Sequence, residues 1–302
     1  MKKSRLRMTV FFAALGCALV FEMLPPALYT GLGAPYTALF HRTPVLFFAA
    51  VALFAVLCEN GRGGLLCRPH RLPSREGWLA CIFLFAVALN NFPFYALACG
   101  DAAVTLVPSA LLAYTLTALF TAAAEELLFR GLLFPCLLVR FSRSEAQAEP
   151  SSEEEKEAEK EKEKEKEKEK GALLLSVSLS SLLFGCVHLF NLFGGASLPD
   201  TLLQIGYSTL IGAAAALLLL LCRSLWVPIL FHFVYNFGGL FVGTFGTGEL
   251  GTVPVILSTA ALSVFAAGWA VAALLRLPAE NRREIALSSL HNVQKKKKPS
   301  AK

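Results

Sequence analysis

The segment AAAEELLFRGLLF, residues 122–134, carries two adjacent glutamates and one arginine inside an apolar run. On a helix of about 3.6 residues per turn, Glu126 and Arg130 share a face and can pair. Glu125 is rotated by about 100° from Glu126 and points elsewhere. Its neighbour one turn on is Phe129, so its own helix offers it no cation. A carboxylate in a poorly solvated setting holds a proton more tightly than one in water, which suits a general base working near neutral pH. Two further pairs have the same spacing of four. Phe184 and His188 lie in LLFGCVHLF, and His232 and Asn236 lie in ILFHFVYNF. One glutamate, two histidines and one asparagine can thus converge on one cavity.

Each of these residues also has a purely structural reading. A histidine in an apolar span can be a packed, satisfied side chain. Asn236 can hold two helices together. Glu126 with Arg130 can be an ion pair that serves the fold alone. His41, His70 and His291 fall in expected loops or the tail. Glu22, Asn90, Asn91, Gln204 and Tyr207 lie in apolar runs without comparable spacing and read as packing or cavity-lining groups.

The elements that must position these residues are set by composition. Of 302 residues, 55% are hydrophobic, and mean hydropathy is +0.58. The apolar residues cluster into eight runs, about 8–29, 43–60, 77–98, 103–130, 172–190, 201–221, 225–245 and 253–275. Such runs have the length of a membrane-crossing helix. They lack the alternation of barrel strands, and lipid-exposed backbone must satisfy its own hydrogen bonds. The expected fold is therefore all-α, a polytopic membrane protein of about eight spans. A charge within a span costs about 2.5–3.5 kcal/mol on insertion scales, so charged residues there mark function.

Lys and Arg alternate with this span count. One set of loops holds Lys2, Lys3, Arg5 and Arg7, then Arg62, Arg68, Arg71 and Arg75, then Arg140 and Arg143, then Arg223, then the basic tail. The other loops hold only Arg42. Positive loops stay inside, which puts both termini in the cytoplasm. The first run continues past Cys17 to about residue 29 without a small-residue cleavage site, so it is expected to be a retained span rather than a signal peptide. The eight cysteines are scattered singly, with neither a disulfide framework nor a zinc ribbon in their spacing. The pI of 8.9 comes from the loops and tail, and no basic stripe interleaved with aromatics points to nucleic acid.

Three regions follow. Residues 1–100 hold three N-terminal spans. Residues 101–275 hold the candidate chemistry, interrupted by a charged insert at 142–170. Residues 276–302 are a basic cytoplasmic tail. The insert ends in KEKEKEKEKEK and holds 12 of the chain's 22 acidic residues, so it is expected to be a disordered or loosely helical arm. Residues 103–139 would make about 55 Å of helix against a hydrocarbon core of about 30 Å. Gly131 and Pro135 are the expected break points, with an interfacial piece, GLLFPCLLVRF, beyond them. Span counting places His188 near the outer end of its helix and His232 nearer the inner end, so one of those helices must be broken or start elsewhere.

The three pairs together resemble the CPBP family, the CAAX proteases and bacteriocin-processing proteins. EELLFRG matches its EExxxR signature, Phe184 to His188 its FxxxH, and His232 to Asn236 its HxxxN, in the same order. The similarity covers roughly residues 100–275, and the charged insert departs from the family pattern. The resemblance implies an eight-helix intramembrane endopeptidase. It implies that Glu125 activates water, that His188 helps hold it, and that His232 and Asn236 stabilise the oxyanion. Glu126, Arg130 and Phe184 would be supporting residues. Glu125, His188 and His232 also form a zinc-ligand set, so zinc is the alternative to a metal-free site. The metal-free reading is preferred, because there is no H-E-x-x-H and a glutamate-activated water needs no ion.

Implied partners are a membrane-associated peptide, prenylated at its C-terminus or carrying a leader, and the bilayer itself. The membrane would be the plasma membrane of a bacterium or the endoplasmic reticulum of a eukaryote. Two other classes compete: a non-catalytic scaffold or immunity factor, and a proton-coupled transporter. The absence of an internal repeat disfavours the transporter.

Overall fold

The computed structural model describes residues 2–23, 34–59, 63–66, 73–143, 155–248 and 253–277. The described chain is almost wholly helical. It comprises α1 (Lys2–Met23), α2 (Ala34–Glu59), α3 (Arg75–Asn90), α4 (Phe94–Cys99), α5 (Pro108–Glu126), α6 (Phe134–Arg143), α7 (Glu155–Cys186), α8 (Leu198–Cys222), α9 (Trp226–Gly239), α10 (Phe241–Phe245) and α11 (Val253–Leu275). Among the described residues four stretches are long and apolar enough to cross a bilayer: Leu39–Glu59, Glu169–Phe193, Leu198–Cys222 and Leu257–Leu275. Large side chains such as Leu203, Leu210 and Val264 stand exposed, as lipid-facing residues do. The chain is a multi-pass, helical membrane protein.

The remaining apolar runs are broken by local chemistry. Run 77–98 divides after Asn90, because Pro93 has no N–H to continue α3. Run 225–245 divides at Leu240. Two expectations need correction. His41 and Arg42 lie within α2, not in a loop: polarity suggested a loop, but the Thr43 hydroxyl bonds to the Leu39 carbonyl at 2.7 Å and the helix runs on through Pro44. Arg223, expected on a cytoplasmic loop, is buried at the tight α8–α9 turn with a left-handed backbone, φ 54°. His70 and His291, the side chain of Glu22 and insert residues 144–154 lie outside the description.

From Glu155 the Glu–Lys repeat is helical and continuous with the apolar part of α7. Glu and Lys are good helix formers, and adding turns to an existing helix avoids the cost of nucleation.

Packing runs α1–α2–α5–α9, with α9 also against α3 and α8, α3 against α11, and α7 against α8. Leu217–Leu221, Leu225, Ile229 and Phe231 form the centre of the core, closed by Leu57, Leu84 and Phe134. One feature is not helical. β1 (Ala102–Val104) pairs antiparallel with β2 (Gly246–Gly248), in the register Ala102↔Gly248 and Val104↔Gly246. Any Cβ at Gly246 would lie 1.9 Å from the Ala103 carbonyl oxygen, so only glycine permits this pairing. The clasp ties the start of α5 to the end of α9–α10, the two helices that carry most of the candidate site.

Candidate active site

Glu125 and Glu126 end α5, and the chain then widens into a π-helical segment, Leu127–Leu133. The Phe134 N–H bonds to the carbonyl of Phe129, five residues back. The expected break at Gly131 and Pro135 is thus a widening instead. Pro135 has no N–H for the carbonyl four residues earlier, and the π register shifts the acceptors by one. Gly131 gives room beside α2: a Cβ there would lie 2.9 Å from Leu57 Cδ1, and that side chain would have to shift. Beyond it α6 continues as a helix that buries Phe134 and Leu138 and exposes Cys136.

The Glu126 carboxylate is fully buried, and its Oε1 accepts two hydrogen bonds. Arg130 Nη1 donates at 3.1 Å, and His232 Nδ1 lies at 2.9 Å. An ionised carboxylate only accepts, so His232 carries a proton on Nδ1. Its Nε2 then faces Glu125 Oε2 at 3.6 Å. Glu125 is 35% exposed where Glu126 is sealed, so the outer carboxylate alone is open to water or substrate. The adjacent glutamates sit on opposite nitrogens of one imidazole. The helix geometry of α5 divides them as the sequence suggests, and α9 brings His232 between them.

Phe184 joins the other side. It is 2% exposed, and its ring lies under the Arg130 guanidinium at 4.3 Å from Cζ to centroid. It meets His232 edge-on at 5.6 Å and His188 at 5.8 Å between centroids. His188 turns its Nδ1 to the carbonyls of Phe184 and Gly185, at 3.3 and 3.2 Å. Nδ1 therefore donates there. Asn236 stands one turn beyond His232 on α9, and its carboxamide makes no hydrogen bond among the described residues.

The ring contact between Phe184 and His232 brings α7 and α9 together at this level. Both helices are irregular: α7 tightens into a 3-10 turn at Val187, one residue before His188, and α9 spans only 14 residues from the α8–α9 turn. Leu225 N–H and Trp226 Nε1 donate to the carbonyls of Leu65 and Leu66, at 2.7 Å each, and fix where α9 begins.

Other residues anchor α9, and the sequence marks them weakly or not at all. Asn91 Nδ2 donates to the Tyr235 carbonyl at 2.7 Å, and the Tyr114 hydroxyl donates to the Phe237 carbonyl. Gly238 lets the end of α9 meet the turn after α3: a Cβ there would lie 2.7 Å from Phe92 N. The glycine pair 238–239 was the available signal. Asn90, read as packing, ties α3 to Ser258 and Thr259 of α11.

Among the described residues, no three His, Cys, Asp or Glu side chains come together in a group that could hold one metal ion. The set Glu125, His188 and His232 therefore does not fit zinc in this arrangement. An apolar cavity of about 390 Å³ lies against the second half of α9, lined by Leu89, Phe92, Leu111, Phe233 and Phe237 among others.

Residues 107–238, which hold all seven candidate residues, match the family model for Rce1-like type II CAAX prenyl endopeptidases. No curated protein and no solved structure matches the chain.

Proposed function

We propose that this chain, whose residues 107–238 belong to the Rce1-like family, is an intramembrane endopeptidase acting on a membrane-associated, prenylated peptide. The observation that carries this reading is the imidazole of His232 held between two glutamates. Glu126 is buried on Nδ1 at 2.9 Å, and the open Glu125 lies 3.6 Å from Nε2.

In this reading a water sits between Glu125 and His188 Nε2. Glu125 takes its proton as the oxygen attacks the scissile carbonyl. The oxyanion that develops is met by His232 Nε2–H and the unengaged carboxamide of Asn236. Donation from Nε2 while Nδ1 bonds Glu126 requires the doubly protonated ring, whose charge Glu126 balances. Glu125 then returns the proton to the leaving amine. No metal enters these steps. The apolar cavity beginning at Phe233, the residue after His232, would seat the prenyl chain. Eight spans, both termini in the cytoplasm and the three-region division of the chain complete the proposal.

The test is Glu125→Gln, which keeps shape but removes the proton acceptor. Turnover of a prenylated peptide should fall by about 10²–10⁴-fold, with the melting temperature in detergent unchanged. Retained turnover in a folded Glu125→Gln protein would remove Glu125 from the role of base.

A further inference from the structure

We infer that Gly212 of α8 is a positioning residue for the site, acting through Arg130. Glycine is disfavoured inside a helix relative to alanine, and the four residues that follow Gly212 are all alanine. Space is the reason for the exception. A Cβ at 212 would lie 2.9 Å from Arg130 Nη2, 3.1 Å from Ser181 Cα and 3.2 Å from Phe184 Cδ1. Each neighbour is part of the support for the site or of the helix that carries it. Gly206, six residues earlier on the same helix, has nothing within 4 Å of such a Cβ.

Arg130 depends on this wall because hydrogen bonds alone do not fix it. Only Nη1 is bonded, to Glu126; Nε and Nη2 are buried without a hydrogen-bond partner among the described residues. The guanidinium is otherwise located by the Phe184 ring at 4.3 Å and by the bare backbone of α8 at Gly212. A methyl group there pushes Arg130 along the ring or moves Phe184. Either shift is passed to Glu126 Oε1, which holds His232 Nδ1. Gly212 thus sets the orientation of His232 without touching substrate.

The turnover arm of the test rests on the peptidase reading; the spectroscopic arm does not. Gly212→Ala and Gly206→Ala would be compared with the parent in detergent by turnover, melting temperature and the ¹⁵N signals of the His232 ring, assigned by their loss in His232→Gln. Gly212→Ala should lower kcat by about 10–100-fold, the scale of a small misplacement at a reacting centre. KM should change little, and the His232 signals should move away from their positions in the parent. Gly206→Ala should match the parent in turnover and in the His232 signals and melt no lower.

Arg130→Lys ends short of the new methyl group, so Gly212→Ala should cost less on the Arg130→Lys background than on the parent. If Gly212→Ala alone fails to fold, the double variant should still fold. Unchanged His232 signals, losses that multiply in the double variant, or a double variant that also fails to fold would overturn the inference. Absence of any turnover in the parent would instead count against the proposed function, and the His232 signals would still decide the role of Gly212.

Discussion

Glu126 Oε1 serves two partners at once, Arg130 at 3.1 Å and His232 at 2.9 Å. Glu126→Gln therefore strands a buried guanidinium and also leaves a protonated His232 ring without its counter-charge. Breaking a buried pair costs about 3–5 kcal/mol, so the variant should melt early and turn over slowly. Adding Arg130→Met removes the stranded charge. Melting temperature should then recover in part while turnover stays low, because a neutral amide no longer balances the charge of a protonated His232. Recovery of both would mean that Glu126 serves stability alone. From the sequence, the Glu126–Arg130 pair is legible because a spacing of four fixes it within one helix. The bond from Glu126 to His232 is not, since it depends on how closely α5 and α9 approach. For the same reason sequence spacing identifies Phe184 but not its place beneath Arg130.

Helix α9 carries His232 and Asn236, and side chains from other helices hold its C-terminal half. Asn91→Ala removes the donor to the Tyr235 carbonyl, and Tyr114→Phe removes the donor to Phe237. Each leaves a carbonyl without its partner, at about 1–3 kcal/mol. Both variants should show a lower melting temperature in detergent. Parental melting in both would show that α9 does not rely on these ties. Most helices are legible as apolar runs, because length and hydropathy decide them. Their irregularities are harder to read. Pro135 announces a disturbance, but whether the chain breaks or widens depends on the room that Gly131 gives beside Leu57. The β1–β2 clasp is three residues per strand and carries no alternating pattern, so nothing local marks it before Gly246 and Gly248 are seen against Ala102 and Ala103.

At the scale of the whole molecule, the apolar bundle places two carboxylates, two imidazoles and a guanidinium together. Charge alternation along the loops supports eight spans, whereas four stretches meet length and hydropathy criteria among the described residues. Among the described residues, three of the runs expected as further spans are divided, at Pro93, at Leu240 and by the π segment. A helix interrupted in this way can still cross a bilayer where its irregular part is buried in protein. The most direct measurement follows the purified full chain in lipid nanodiscs with a farnesylated CAAX-type peptide, read by mass spectrometry. The expected result is a shortened, still farnesylated product that accumulates over many turnovers and is not formed from the unprenylated peptide. A peptide that binds stoichiometrically and is recovered intact would contradict the account and leave a membrane scaffold in its place.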